Sequence, residues 1–160
     1  MRSFWVKNED ILERTDGTKL LYFKNFNLKN SKFNETTPST NVCVTEECAN
    51  KLIDAGFNVV RYEQEDGEVI FRFKVKFNFD NERIPIKIYK VCGNKKVRLN
   101  KDTIKDLQND EIIAIDIDIS YGKQGGIYAN TAYFTIEESE IDLKYSFCNG
   151  DDEEPLEDWE

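Results

Sequence analysis

The most regular signal along the chain is a two-residue alternation of apolar and polar side chains. Within Val69–Phe79, Phe71, Phe73, Val75 and Phe77 fall on one side and Arg72, Lys74 and Lys76 on the other, the period of a half-buried strand. Within Ile112–Ser120, Ile113, Ile115, Ile117 and Ile119 alternate with Asp116 and Asp118 in the same way. Weaker patterns predict strands over Thr18–Asn27, Asn41–Val44, Ile84–Val91, Lys96–Leu99 and Ile127–Glu137, with one more over Ile141–Phe147. Pro85 assigns its strand to an edge or a bulge, because proline cannot donate to a ladder. Two short helices interrupt the strands. Thr45 is a good N-cap for the first, Glu46 and Glu47 suit its first turn, and Gly56 stops it. Ala49, Leu52 and Ile53 are its expected buried face. Asn100 caps the second, which runs through Leu107 with Ile104 and Leu107 facing in. Gly93-Asn94 and the group Gly122, Gly125, Gly126 mark turns, and Lys29–Thr40 reads as a polar loop.

With the first helix set aside, the order is strand-strand-strand-helix-strand-strand. The expected fold is mainly β with a minor helical part: an OB-fold-like, five-stranded Greek-key barrel with one or two short helices. Other small barrels and sandwiches share much of this pattern. A length of 160 residues suits one domain. The 11 Phe, 7 Tyr and 2 Trp supply enough apolar surface for a core. No run of 18 apolar residues is present to span a membrane. Met1-Arg2-Ser3-Phe4-Trp5 is followed by charged residues rather than an apolar stretch, so secretion is not expected and a cytoplasmic location is.

The chain has no histidine, which removes the commonest general base, Ser-His and Cys-His pairs, and mixed Cys/His zinc sites. A non-enzymatic protein without cofactor or metal is the expectation. Cys43, Cys48, Cys92 and Cys148 allow three disulfide pairings, but in a reducing compartment they are expected to be reduced, buried thiols rather than a zinc site. Asp116-x-Asp118 with Glu111 and Glu137-Glu138 could be drawn as a metal-dependent nuclease centre, but no lysine sits at a matching spacing. A solvent-facing acidic row is the better reading.

The distribution of charge changes the picture that the net charge of −9 gives. The segment Gly150–Glu160 holds seven acids and no base, so the body of the chain is −2. From Arg72 to Lys101 there are ten bases and two acids. The chain is therefore read as a domain over 1–149 followed by a flexible acidic tail over 150–160. Arg72, Lys74 and Lys76 place three cations on one strand face, and Lys87 and Tyr89 share a face of the next. Cations at intervals suit phosphates, and flat rings suit bases. The candidate contact set is Arg72, Lys74, Lys76, Lys87, Tyr89, Lys95, Lys96, Arg98, Tyr121 and Tyr128. In the tail, Asp151, Asp152, Glu153, Glu154, Leu156 and Trp159 are candidates for partner binding, the last two as apolar anchors.

Several segments in order resemble a family of bacteriophage single-stranded DNA-binding proteins. They are Lys24-Asn25-Phe26, Lys32-Phe33-Asn34, Asn41–Glu47 leading to Leu52, Gly56-Phe57-Asn58-Val59, Ile84–Tyr89, Leu99–Leu107 and Phe134–Glu138. The resemblance spans about residues 18–145 and implies an OB-fold core with an acidic C-terminal tail. It implies a protein that coats single-stranded DNA in replication or recombination with little sequence preference. Replication proteins would be recruited through the tail, and homo-oligomers are compatible with this reading. The alternative from another class is an acidic DNA mimic that inhibits a host DNA-binding enzyme. A mimic spreads carboxylates over its folded surface, whereas here the excess lies in the tail.

Overall fold

The computed structural model describes residues 3–28, 36–81, 83–137 and 153–155. The chain is mainly β. Along it run β1 (Ser3–Val6), β2 (Leu21–Asn25), β3 (Ser39–Val44), helix α1 (Glu46–Asp54), β4 (Val60–Glu63), β5 (Val69–Lys76), β6 (Lys87–Cys92), β7 (Lys95–Leu99), β8 (Ile112–Tyr121), β9 (Ile127–Ile136) and β10 (Glu153–Pro155). The described strands form one open mixed sheet. No helix among the described residues is long and apolar enough to cross a membrane.

Strand β9 organises the sheet. One edge pairs antiparallel with β8 from Ile112↔Ile136 to Tyr121↔Ile127. The other edge is divided. Its start pairs parallel with β5, at Val75↔Ile127 and Lys76↔Tyr128, and its remainder pairs parallel with β6, from Lys87↔Thr131 to Val91↔Thr135. Strand β5 is divided in the same way, with β3 along one edge and β4 preceding β9 on the other. Strand β2 pairs with β3, β7 with β6, and β1 with β8.

The apolar sides of these strands meet in one core. Phe73 and Val75 of β5, Ile88 of β6, Ile115, Ile117 and Ile119 of β8, and Ala132 and Phe134 of β9 are fully buried. Phe26, Phe77 and Phe134 pack at centroid distances of 5.7, 5.9 and 6.1 Å in tilted and edge-on geometry, as aromatic quadrupoles favour. Ala49 and Leu52 of α1 join this core, with Ile104 and Leu107 of a 3₁₀ turn over Ile104–Gln108. Thr45 caps α1 as expected, its Oγ1 accepting the Cys48 N–H at 3.2 Å.

Several sequence expectations need correction. Ile53 is 48% exposed, since the helix is only nine residues long and its apolar stripe is narrow. Ile113 is exposed and Ile112 buried, because a register shift between Ile112 and Ala114 reverses the alternation at the start of β8. The second helix is a 3₁₀ turn that begins after Thr103. Asn100 Oδ1 accepts the N–H groups of Asp102 and Thr103 upstream of it. Strand β2 is shorter than expected, β3 starts at Ser39 inside the expected loop, and β1 and β4 were not anticipated. The strand expected over Ile141–Phe147 lies outside the described residues.

Phe134 stands where the aromatic cluster meets the central strand. Phe134→Ala should cost about 3–5 kcal/mol. Equilibrium urea unfolding checks this, and a loss near zero would mean that the site collapses around the missing ring.

Candidate nucleic-acid interface

The alternation that buries Phe73 and Val75 turns Arg72, Lys74 and Lys76 to the outer face of β5. Arg72 is ringed by aromatic groups. Its guanidinium carbon lies 5.1 Å from the Tyr62 ring centroid, 5.6 Å from Phe23 and 5.8 Å from Tyr22, all within cation–π range. Lys74 is exposed, and Lys76 Nζ sits 5.9 Å from the Tyr128 ring.

A second group lies where β9, β6 and β7 present the same outer face. Tyr133 stacks on Tyr89 at 5.3 Å and on Trp5 at 6.5 Å, both with an interplanar angle of 10°. Lys96 Nζ stands 4.7 Å from the Tyr89 centroid and 6.0 Å from that of Tyr133. The two groups are joined through β9. Inward Ala129 and Ala132 are three residues apart because Asn130 is an extra residue at the register shift opposite Asp118 and Ile119. The bulge leaves Tyr128 and Tyr133 both facing outward.

Not every expected contact residue belongs to this face. Tyr89 and Lys96 are only 6% and 3% exposed, so both support Tyr133 from within the fold and neither is offered to a strand as expected. Trp5, 46% exposed, is the accessible end of the stack. Tyr121 packs edge-on against Phe57 at 4.9 Å and on Gly56, whose φ of +97° suits a residue without a side chain. It lies apart from the cation rows. Arg98 is half-buried and donates from Nη2 to the Ile86 carbonyl at 3.2 Å. Lys87 and Lys95 are exposed. Two bases of the positive stretch are already paired: Lys90 Nζ meets Asp110 Oδ2 at 2.8 Å in the interior, and Lys101 meets Asp80 at 3.0 Å on the surface.

Sequence reasoning did not single out Trp5, Tyr22, Phe23, Tyr62 or Tyr133. The Asp66-Gly67 turn, a common hairpin signal, could have revealed β4 and with it Tyr62. Phe23 carried no such signal. It sits at an irregularity in the β2–β3 pairing with φ +53°, 73% exposed, a conformation that is a genuine outlier for a bulky residue. Holding it there costs roughly 1–3 kcal/mol.

The acids and thiols have other roles. Asp116 Oδ1 accepts the Asn8 N–H at 3.0 Å and ties down the turn after β1. Glu138 lies outside the described residues, and among those described no three acids or thiols come together. Cys43, Cys48 and Cys92 are buried. Burial pushes Cys43 up to about 11 and Cys48 to about 12, far from the reactive range. Cys148 lies outside the described residues.

The tail, expected to be flexible from 150 onward, includes a strand. Glu153, Glu154 and Pro155 pair antiparallel with Val97, Lys96 and Lys95, covering the edge of β7. The carboxyl-bearing segment thus lies along the strand that carries Lys95 and Lys96. Asp151, Asp152, Leu156 and Trp159 lie outside the described residues.

No protein-family model, curated protein or solved structure matches the chain.

Asp118, like Asp116, stands on the outer side of β8. Asp118 Oδ2 accepts from Asn130 Nδ2 at 3.3 Å, while Oδ1 is buried without a hydrogen-bond partner. Burial raises its pKa above the ordinary 3.8, and the Asn130 hydrogen bond opposes the shift. The folded chain therefore holds this proton more tightly than the unfolded chain. The group's contribution to stability falls as pH rises from about that ordinary value through the raised one. Asp118→Asn should raise the melting temperature at neutral pH and leave it nearly unchanged in acid. An equal shift at both pH values would rule out ionisation as the cause.

Proposed function

We propose that the chain is a non-enzymatic, single-stranded DNA-binding protein that coats strands with little sequence preference, in the service of phage replication or recombination. The observation that carries this reading is the outer row of cations and rings along β5, β9 and β6. Its lysines and arginines suit a phosphate backbone, and Trp5, Tyr62 and Phe23 offer accessible ring faces to bases. Duplex DNA hides its base faces, so the rings favour a single strand.

The OB-like barrel belongs to this proposal. Strands β2, β3 and β5 form an antiparallel run, β5 pairs parallel with β9, and β9 pairs with β8. The Lys19 N–H donates to the Ile112 carbonyl at 2.8 Å, linking the chain before β2 to the start of β8. That circuit supports a partly open five-stranded barrel, with β6 and β7 inserted between its third and fourth strands. OB-folds bind oligonucleotides on the face of their second and third strands, here β3 and β5, the strand with Arg72, Lys74 and Lys76.

The tail acts as a competitor in this reading. Its backbone pairing with β7 lays an acidic segment along the strand of Lys95 and Lys96, and an intramolecular competitor gains from high effective concentration. DNA would displace it and release Leu156 and Trp159 to a replication partner.

Fluorescence anisotropy with labelled oligo-dT tests the reading. If roughly four phosphates are neutralised, log K should fall against log salt with a slope near −3. Lys74→Ala should flatten the slope, and protein ending at Asn149 should bind more tightly, most of all at low salt. A salt-independent affinity, tighter binding to duplex, or no effect of removing the tail would each contradict it.

A further inference from the structure

The aromatic ring around Arg72 is the mouth of a site of its own. Tyr22, Phe23, Tyr62, Gln64, Glu65, Asp66 and Arg72 line an open cleft of about 560 Å³ at the end of the β4–β5 hairpin. Three features of it need explanation together. Phe23 holds a rare backbone conformation and is 73% exposed. The rings surround a cation that the chain itself supplies, so the cleft is not waiting for an external ammonium group. Its far wall is acidic, with Glu65 and Asp66, whereas the outward residues of β5 beside it are basic.

Phosphate explains none of this, because Glu65 and Asp66 would repel it. A nucleobase explains all three. A base turned out of the strand could lie against the exposed Phe23 ring or the Arg72 guanidinium plane, both common stacking partners. Carboxylates only accept hydrogen bonds, so an acidic wall favours a base edge with an amino group. Asp66 Oδ1 already accepts the Glu68 N–H at 2.9 Å within the turn, which fixes the direction of its carboxylate. Phosphates on either side of the base would continue over Lys74 and Lys76, the next outward residues of β5.

We propose that this cleft holds one unpaired base bearing an exocyclic amine, cytosine or adenine ahead of thymine, and gives an otherwise indifferent protein a local base preference. The proposal rests on the single-strand reading above and adds to it where and which base is held. The backbone strain at Phe23 is retained because it aims the ring into the cleft.

The test compares oligo-dC with oligo-dT of equal length on the full chain, at mildly alkaline pH where cytosine is unprotonated. The two pyrimidines have rings of the same size, so a difference reports the base edge. Oligo-dC should bind more tightly by roughly fivefold. Phe23→Gly relieves the backbone strain while deleting the ring. It should leave the melting temperature unchanged or raised, yet weaken oligo-dC binding by roughly tenfold. Glu65→Gln combined with Asp66→Asn should erase the preference by strengthening oligo-dT binding. Equal affinity for the two oligomers, or an unchanged affinity in Phe23→Gly, would overturn the base site while leaving strand coating intact. Binding to neither oligomer would overturn the functional reading itself.

Discussion

The division of the second edge of β9 between β5 and β6 is the constraint on which the outer face depends. Because β5 takes only the first two positions of that edge, Lys76 comes to lie beside Tyr128. Because β6 takes the rest, Tyr89 comes to lie beside Tyr133. The full-length pairing with β8 holds β9 rigid on its other side, and the Asn130 bulge keeps both tyrosines outward. Parallel pairing on one edge and antiparallel on the other bring segments distant in the chain onto one face, and no local feature of β5 or β6 could do so. Phe134, inward on the same strand, anchors the arrangement to the core.

The electrostatics follow from what this frame buries. An acidic chain keeps a basic face partly by pairing some of its lysines within the fold. Lys90 is neutralised by Asp110, and Lys19 donates from Nζ to the carbonyls of Asn8 and Ile11 at 3.0 and 3.1 Å. These lysines tie elements together and are not offered to phosphate. Of the cations beside the outer rings, Arg72 and Lys76 are half-buried and Lys96 is buried, whereas Lys74 is exposed. A tail strand on β7 then occupies a sheet edge that would otherwise be open to pairing with another chain, which the three-residue length of β10 and its proline keep from extending.

The alternation of β5 and β8 was legible in the sequence because one face of each is core and the other solvent. So were the Thr45 cap and the inward Leu52, Ile104 and Leu107. The bulges were not legible. A register shift depends on the partner strand, so the reversal at Ile112–Ile113 and the extra residue Asn130 leave no local mark. Strand β4 is exposed along its length and lacks the alternation that betrays a half-buried strand. The cation row on β5 was read from its period of two. The rings that complete it come from β1, β2, β4 and β9, and only tertiary pairing assembles them. Tyr89 and Tyr121 look equally available in a sequence, and burial separates both from the accessible Trp5.

A single strand lying across this outer face, as proposed, would set a base near the Trp5 end of the aromatic stack. Protein ending at Asn149 keeps Trp5 as its sole tryptophan. Its emission, titrated with oligo-dT, reports that end of the face directly. The account predicts saturable quenching that added salt reverses, in step with binding measured by anisotropy. Binding with Trp5 emission unchanged would place the strand elsewhere on the molecule and contradict the account.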